Sequence, residues 1–600
     1  MEMERKNVAI IILAIALIGS GVGNIIFATQ LGLIEVTPPA RAQDMVFGEA
    51  GNIPDLDPHY AYDSASIDVI EQVCEPLYEF NLTDEANNYP VIPRLAAAMP
   101  VVSSNSLEYT IALRQNVNFT DGTKFNASSV EYNFYRLMHF INWSGNSWLP
   151  QNTTMWKQDL GFNRPLPATT ARSQIRVLYA SSTGAPIINN LTIIDEYTIK
   201  IGLREPKASW LPMLCFAGST MMSPTYLQSL DDPGTPSINE AMDVYLSDIF
   251  GASIIGTGPF IFDTYVADVE VGFEPNPNYW QGAPKLTSLT FVQIEDVTTR
   301  NQALLSGDVD VLDAGILPAF LDQFDNDPDI ELINGGGTLS TLWITFNYTM
   351  PLAVRQAIAW CFNYTYLIDV IYERQSARLL SPVPAGLAYS NYSYDCPTYD
   401  LARARNYLLT DSVYGPILAA ASITAASPDS AWINLATTAP LETYNFTWNL
   451  ETQQRGDVGL RLAYDMERIG MHLDVVGVAW SVLIQNQILY RERMEIYTMG
   501  WLPDYTDPEN YILPIWDEDI NGGNYYEPDM HDDLFVRMLT ETDDASRNAI
   551  FQEIQQKWIE RDYPGMLLMT SINWDAWHKD VQGYPTNSIG RKWCYPCYFG

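Results

Sequence analysis

The sequence predicts a mixed α/β fold in two lobes, and two observations support this prediction. Segments with helical apolar spacing alternate along the chain with short segments in which every second residue is apolar, and such alternation is typical of α/β domains. The chain has 600 residues, of which 47% are hydrophobic and 12% aromatic, so it can fill large cores. No repeat of the solenoid type is found.

The first lobe opens with a short strand and continues with alternating elements. In order, we predict a strand at Asp44–Gly48, a helix at Ser66–Phe80, a strand at Leu107–Leu113, a helix that begins at Ala127, and two strands within Thr192–Gly202. The strands alternate apolar and polar residues, whereas the helices repeat apolar residues every three or four positions.

A second group of elements begins near residue 289. We predict a strand at Leu289–Ile294, helices at Thr299–Ser306, Pro351–Tyr372 and Leu460–Ile469, and a strand at Met471–Val478. The helix at Pro351–Tyr372 has one continuous apolar side, which indicates that it packs against a core.

Two segments interrupt this alternation. Residues 142–188 are rich in Asn, Ser, Thr, Trp and Pro, and residues 409–448 are rich in Ala, Thr and Pro. Such composition is typical of loops. We therefore interpret both segments as surface insertions.

The N-terminus indicates export. Arg5 and Lys6 precede an uncharged apolar run, Val8–Ala28, and basic residues before such a run direct the rest of the chain across the membrane. The run of about 21 residues is also long enough to span a hydrocarbon core of ~30 Å. We predict an uncleaved anchor rather than a cleaved signal peptide, followed by a short stiff linker at Thr37–Arg41.

Glycosylation sequons and cysteines fit an extracellular location. Each Asn-x-Ser/Thr triplet is weak evidence alone, but together they favour a glycosylated surface protein; their asparagines are Asn81, Asn118, Asn126, Asn142, Asn152, Asn190, Asn347, Asn363, Asn391 and Asn445. Cys594 and Cys597 lack the second pair that a zinc site usually has. We expect a local disulfide between them, or disulfides with Cys74, Cys215, Cys361 or Cys396.

Composition and motifs also bear on the class of protein. The formal net charge of −39 argues against nucleic-acid binding, which needs a cationic surface. The five histidines are scattered, and neither Gly-x-Ser-x-Gly nor His-Glu-x-x-His occurs. An exported hydrolase is therefore disfavoured, although a glycosidase with paired carboxylates stays open. A structural surface glycoprotein is the other alternative.

A series of short segments follows one order along the chain. The segments are Ile53–His59, Glu75–Glu79, Pro90–Ala96, Leu113–Phe125, Gly256–Phe260, Asn276–Trp280, Gly307–Asp310, Val354–Ile358, Tyr399–Ala404, Gly470–Val475, Trp501–Pro508 and Tyr563–Pro564. Each segment alone is weak evidence, but in this order they resemble one family, the peptide/nickel/oligosaccharide substrate-binding proteins of ABC importers, known as solute-binding protein family 5. The resemblance covers residues 44–585 apart from the insertions.

The resemblance implies a two-lobed, three-subdomain, periplasmic-binding-protein-like fold with mixed sheets. Its two strands between the lobes would form a hinge, which we place near Phe291–Ile294 and Met569–Asn573. The expected division is an anchor and linker at 1–43, lobe 1 at 44–292 with a C-terminal return at 571–600, and lobe 2 at 293–570.

The resemblance also implies a ligand site. In peptide-binding relatives, the segment that Trp501–Asp504 resembles lines the groove, and the acid three residues after the Trp binds the ligand's α-amino group. Asp504 has that position here, and a buried ammonium needs an anionic acceptor. The predicted ligand-binding residues are Asp504, Trp501, Tyr505, Leu502 and Trp480. Asp507 and Pro508 instead have the chemistry of a turn.

The predicted function is capture of peptides by lobe closure and delivery to an ABC importer. The implied partners are a small-molecule ligand, the permease subunits and the membrane; we expect a monomer that uses no metal or cofactor and is not an enzyme. An oligosaccharide ligand is the main alternative, because the same scaffold binds sugars and the chain has 16 Trp residues for stacking.

Overall fold

A computed structural model provides the structure of the chain. It describes residues 42–49, 53, 56–61, 63–84, 89–141, 178–179, 181, 185–230, 253–312, 315–450, 452–479, 482–483, 486, 493–516 and 532–600. The predicted anchor at Val8–Ala28 and most of the predicted insertion at 142–188 lie outside this part. No helix within it is long and apolar enough to cross a membrane.

The strands are numbered in chain order. They are β1 Asp44–Glu49, β2 Glu75–Pro76, β3 Tyr78–Phe80, β4 Val91–Pro93, β5 Val101–Val102, β6 Glu108–Ala112, β7 Ile188–Asp195, β8 Thr198–Leu203, β9 Thr220–Met221, β10 Phe260–Val266, β11 Glu270–Pro275, β12 Ser288–Gln293, β13 Val311–Leu312, β14 Ile330–Phe346, β15 Ser376–Arg378, β16 Thr443–Asn449, β17 His472–Val478, β18 Ile496–Trp501, β19 Gly565–His578, β20 Val581–Gln582 and β21 Tyr598–Phe599.

The helices connect these strands. The α-helices are α1 Ser64–Val73, α2 Ala127–Ile141, α3 Trp210–Met213, α4 Pro224–Ser229, α5 Val297–Ser306, α6 Pro318–Asn326, α7 Leu352–Cys361, α8 Tyr364–Tyr366, α9 Leu401–Thr410, α10 Tyr414–Ala420, α11 Asp429–Thr438, α12 Gln453–Glu467, α13 Glu509–Trp516, α14 Asp532–Thr540 and α15 Asp544–Gln556. Short non-α turns of helix occupy Ala217–Ser219, Leu367–Ile371 and Lys557–Asp562.

One large mixed sheet organises the fold. Its strand order is β10-β11-β12-β1-β13-β19-β14-β18-β16-β17, and β15 pairs with β19 outside this path. β1 runs parallel to β12 and β13, and β16 runs parallel to β17 and β18. A separate four-stranded sheet has the order β5-β6-β8-β7. The α/β prediction is confirmed.

The two longest strands, β14 and β19, join the halves of the large sheet. They pair antiparallel from Ile330↔His578 to Thr345↔Gly565. The C-terminal end of β19 pairs with β13, whereas the C-terminal half of β14 pairs with β18. The ladder is irregular between Asn334 and Thr341, so the regular pairing is interrupted near its middle.

The two segments expected to form the hinge lie in different parts of this sheet. Met569–Asn573 lies within β19, and Phe291–Ile294 covers the end of β12 and the residue after it. β12 lies between β11 and β1, whereas β19 pairs with β13, β14 and β15. The position of the hinge remains a prediction.

Each half of the sheet has its own apolar core. On the β1 side, Leu304, Phe320 and Phe324 pack with Val309 and Ile330. Helices α5 and α6 therefore pack with strands of the β1 half. The lobe boundaries given above remain a prediction.

The other half has a larger core built around a strand–helix–strand unit, β16–α12–β17. Gly459 of α12 lies so close to β16 that an added Cβ would be 2.5 Å from Phe446. Gly456 likewise faces Trp448, at 2.7 Å. The glycines thus let the helix approach the sheet closely. Because β16 belongs to this core, the interpretation of residues 409–448 as a surface insertion is wrong.

Two predicted helices are shorter than expected. The helix predicted at Ser66–Phe80 ends at Val73, because Glu75–Pro76 pairs with β9 and proline cannot continue a helix. The helix predicted at Pro351–Tyr372 breaks after Cys361. There the Asn363 side chain accepts a hydrogen bond from the Tyr366 amide at 2.9 Å and starts a new helix.

The cysteine prediction is also wrong. All six cysteines are buried, and the structure joins none of them in a disulfide. Burial raises the pKa of the Cys74, Cys215 and Cys361 thiols, which keeps them protonated.

A buried ion pair explains the first motif of the family series. The Arg136 guanidinium binds the Asp57 carboxylate through two nitrogens and lies 2.8 Å from His59 Nδ1. Burial raises the pKa of Asp57, but Arg136 outweighs burial and leaves this pKa below its ordinary value. Burial, assisted by Arg136, lowers the pKa of His59 to about 3. His59 is therefore neutral inside the folded protein.

Replacement of His59 should reduce the acid sensitivity of folding. Between pH 6.5 and 3 the unfolded chain takes up a proton on His59 that the folded chain excludes, so the free energy of unfolding falls as the pH falls. From pH 7 to pH 5 we expect this residue to contribute a loss of about 2 kcal/mol. Urea denaturation at both pH values measures the loss in the wild type and in His59→Gln.

The variant should lose correspondingly less stability than the wild type. His472→Gln is the matched control, because His472 is partly exposed and lies at the surface, and it should keep the full wild-type loss. If the wild type and His59→Gln lose the same free energy of unfolding between pH 7 and pH 5, the lowered pKa of His59 is contradicted.

Candidate functional site

A cleft of about 890 Å³ lies where β14 and β19 cross between the two halves of the sheet. This volume is in the range of small-molecule sites. Its walls include β1 and the start of α1, the loop before α6, the middle of β14 and β19, the segment 371–375 before β15, Leu502 after β18, and the C-terminal segment. These contribute, among others, Glu49, Asp63, Asp68, Ile316, Leu317, Thr338, Ser340, Ser571, Asn573, Tyr584 and Arg591.

The C-terminal segment forms one wall of the cleft. Lys592 Nζ lies 2.6 Å from Glu49 and 2.8 Å from Asp68. Arg591 forms an ion pair with Glu71. Sequence reasoning missed these residues because the resemblance ends at residue 585; the adjacent cations in a strongly acidic chain were the available signal.

The predicted ligand residues lie at different depths around one edge of this cleft. Leu502 lines the cleft and is 43% exposed. Trp501 ends β18 and Asp504 follows in a turn, both half-buried, whereas Tyr505 is buried. Of the four that the structure describes, only Leu502 is among the residues that line the cleft. Trp480 lies outside the described residues.

Asn510 holds the turn that carries Asp504. Its side-chain oxygen accepts hydrogen bonds from Trp501 Nε1 at 3.1 Å and from the Asp504 amide at 2.9 Å. Its side-chain nitrogen donates to Asp504 Oδ2 at 2.9 Å. Arg591 also donates to the Asp504 carbonyl at 3.4 Å, which connects this turn with the cleft wall.

Tyr505 belongs to a buried polar network around Glu509. The Tyr505 hydroxyl donates to Glu509 Oε1 at 3.0 Å, and burial, followed by Glu509, raises its pKa well above the ordinary value. Lys207 Nζ lies 2.7 Å from the same oxygen, to which Ser209 Oγ also donates. The network therefore connects a segment of predicted lobe 1 with a segment of predicted lobe 2.

Asp507 has the turn role predicted from the sequence. Its Oδ1 accepts a hydrogen bond from the Glu509 amide at 3.0 Å, at the start of α13. Both of its oxygens also accept from Arg547, each at 2.8 Å. Burial lowers the pKa of Arg547, but Asp507 outweighs burial and the net shift is upward. Asp507 thus serves the scaffold.

Tyr279 and Trp280 have a structural role. The Tyr279 hydroxyl donates to Glu75 Oε1 at 2.7 Å, and Trp280 Nε1 donates to Glu75 Oε2 at 3.0 Å. Arg94 binds the same carboxylate at 2.7 Å. This buried cluster connects two of the family segments, Glu75–Glu79 and Asn276–Trp280.

Within the described part of the chain, His, Cys, Asp and Glu side chains form no group of three or more that could hold a metal ion.

Replacement of Asn510 by Ala should destabilise the turn. Asn510 is buried, and its loss leaves the Trp501 indole N–H and the Asp504 amide without their acceptor. We expect the free energy of unfolding to fall by about 1–3 kcal/mol, measured by urea denaturation. Asn406→Ala, at an exposed helical position, is the control and should have little effect; equal stability of the two variants would contradict the role of Asn510.

The comparisons with known proteins agree on one family. The family model "Bacterial extracellular solute-binding proteins, family 5 Middle" matches residues 90–523. Di/tripeptide-binding protein 2 of Pseudomonas aeruginosa is 24% identical over 532 residues, which cover 86% of this chain and 88% of the relative.

Solved structures show the same fold. A periplasmic binding protein from Helicobacter pylori, in complex with the peptide STSA, has a TM-score of 0.71 and 20% identity, over 93% of this chain and 98% of that chain. A dipeptide-binding protein from Pseudoalteromonas, in complex with Met-Leu, has a TM-score of 0.71 and 19% identity, over 93% and 100%. The two-lobed fold is confirmed.

The family model spans most of the chain, including the turn at Asp504 and all of β14. The ordered segments found in the sequence and the matching fold agree with it. The chain belongs to the bacterial extracellular solute-binding proteins of family 5.

Proposed function

We propose that this chain captures short peptides in its cleft, closes its lobes around them and delivers them to an ABC importer. The cleft between the two halves of the large sheet is the observation that carries this proposal. Residues of both β14 and β19 line it, so a peptide backbone can approach strands of the sheet and form main-chain hydrogen bonds. The names of the relatives cited above, which include di/tripeptide- and dipeptide-binding proteins, support a peptide ligand.

The edge of the cleft near Leu502 receives the amino terminus of the peptide in this proposal. Asp504 lies two residues beyond Leu502, and Asn510 holds its carboxylate on one side. An α-ammonium brought into this partly buried region gains from a carboxylate that is already oriented. Arg591 donates to the Asp504 carbonyl and pairs with Glu71.

Closure divides the molecule at the irregular part of the β14–β19 ladder. We place the crossing between Asn334 and Thr341 on β14 and near Thr570–Asn573 on β19. The segment 297–326 then moves with the β1 half, because its apolar residues share that core. A ligand that contacts both halves favours the closed form, since only differential affinity shifts such an equilibrium.

Export and anchoring complete the proposal. The segment Val8–Ala28 holds the protein at the outer face of the cell membrane, and the permease recognises the closed, ligand-bound form. Exposed sequons such as Asn118 and Asn445 are the proposed glycosylation sites. Asn347 is excluded, because it is buried and its side-chain nitrogen donates to the Met494 carbonyl at 2.9 Å.

An oligosaccharide is the second candidate ligand. Tyr372, Trp574 and Tyr584 line the cleft, and aromatic rings of this kind stack on sugars. Mass spectrometry of the small molecules released by denaturing freshly purified protein distinguishes the two. Released peptides support the proposal, whereas released sugars contradict it.

Asp504→Asn should remove the preference for a free amino terminus. By calorimetry, the wild type should bind trialanine more tightly than N-acetyl-trialanine. The variant should bind the two peptides equally, with trialanine weakened by roughly 2–5 kcal/mol. Asp474→Asn, at an exposed position, is the control. An unchanged affinity of Asp504→Asn for trialanine would remove Asp504 from the site.

A further inference from the structure

Two nitrogen donors in the cleft wall have no acceptor among the residues that the structure describes. They are Gln375 Nε2 and Trp574 Nε1, and both atoms are buried. Both residues line the cleft. A buried donor without an acceptor loses its hydration without compensation, and such donors are rare in folded proteins.

The sheet places these two donors next to each other. β15 pairs antiparallel with β19 through Ser376↔Ser571, and the Ile572 amide donates to the Gln375 carbonyl at 3.0 Å. Gln375 is therefore opposite Ile572. Because side chains alternate along a strand, Trp574 points to the same face as Ile572. Gln375 and Trp574 are thus diagonal neighbours, with backbones roughly 7–8 Å apart.

The local charges indicate what kind of acceptor fits. Glu373 and Asp575 also line the cleft, and their negative charges disfavour a carboxylate there. Arg374, the neighbouring cation, pairs with Asp369 at the surface. Lys592 already binds Glu49 and Asp68. An uncharged oxygen suits this position better than an anion.

The backbone before Gln375 is in an uncommon conformation. Glu373 and Arg374 have φ angles of 48° and 66°, in the left-handed region that non-glycine residues rarely adopt. Holding two consecutive non-glycine residues at positive φ costs free energy, and backbone conformations of this kind cluster at ligand sites. They turn the chain from Tyr372 into β15, at the position where Gln375 enters the cleft wall.

We propose that Gln375 and Trp574 donate hydrogen bonds to main-chain carbonyl oxygens of the bound peptide. The inference rests on the proposed peptide-binding function and adds a specificity: the pair recognises neutral amide oxygens, not the terminal carboxylate. The two donors therefore bind peptides regardless of the peptide's side chains. A hydrogen bond from each donor to the ligand offsets the free-energy cost of burying that donor.

Removal of each donor with little change of shape tests the proposal. Trp574→Phe and Gln375→Met should each weaken trialanine binding about threefold to tenfold, as expected for one neutral hydrogen bond. In both variants, the affinity for trialanine with an amidated C-terminus should fall by the same factor, because this peptide keeps the neutral main-chain carbonyls. Trp432→Phe is the matched control, since Trp432 Nε1 is also buried without an acceptor among the described residues but belongs to the core of the β16 half; its peptide affinity should equal that of the wild type.

Calorimetric titrations of the wild type and the three variants with both peptides separate the outcomes. Normal wild-type binding with undiminished affinity in Trp574→Phe and Gln375→Met would overturn this inference alone. A loss limited to the free acid would also overturn it, because the donors would then bind the carboxylate. Failure of the wild type to bind either peptide would instead overturn the proposed function together with this inference.

Discussion

The antiparallel pairing of β14 with β19 is the interaction on which the rest of the structure depends. It joins strands of the β1 half to strands of the β16 half through one antiparallel ladder. The register of this ladder shifts between Asn334 and Gly336, between Gly337 and Thr341, and between Leu342 and Trp343. The stretch from Asn334 to Thr341 also contributes Thr338 and Ser340 to the cleft. The proposed hinge therefore lies beside the proposed ligand site.

Buried ion pairs connect the remaining segments in an acidic chain. The chain has only 33 Lys and Arg for 72 Asp and Glu, yet Arg136, Arg94, Lys207, Arg547 and Lys592 are all buried against carboxylates. A buried pair contributes little net stability, but removal of one partner leaves an uncompensated charge. These pairs therefore specify which segments meet. The Lys207–Glu509 pair does so beside Tyr505, at the edge of the candidate site.

Sequence reasoning predicted much of the fold, because periodicity is a local signal and the family segments occur in order. The strands at residues 44–49 and 472–478 and the helix that begins at Ala127 are close to their predicted bounds. Pairing between distant segments has no local signal, so the pairing of β14 with β19 was not predicted. Residues 409–448 were misinterpreted because Ala- and Thr-rich composition hid a core strand, β16.

The candidate site was predictable only where a family segment marks it. The turn at Trp501–Asp504 could be located from its motif, and the structural role of Asp507 from turn chemistry. Gln375, Trp574 and Arg591 could not, because a residue reaches the cleft through the three-dimensional arrangement of β15, β19 and the C-terminal segment. Nothing in the immediate sequence of Gln375 and Trp574 distinguishes these two residues from surface residues, whereas Arg591 is next to a second cation, Lys592.

Small-angle X-ray scattering tests the central claim, that the two halves close around a peptide at the β14–β19 crossing. The radius of gyration of the free protein should decrease when trialanine is added to saturation, because closure brings the halves together around the ligand. A radius that stays constant while calorimetry reports saturating binding would contradict closure as the mechanism of capture.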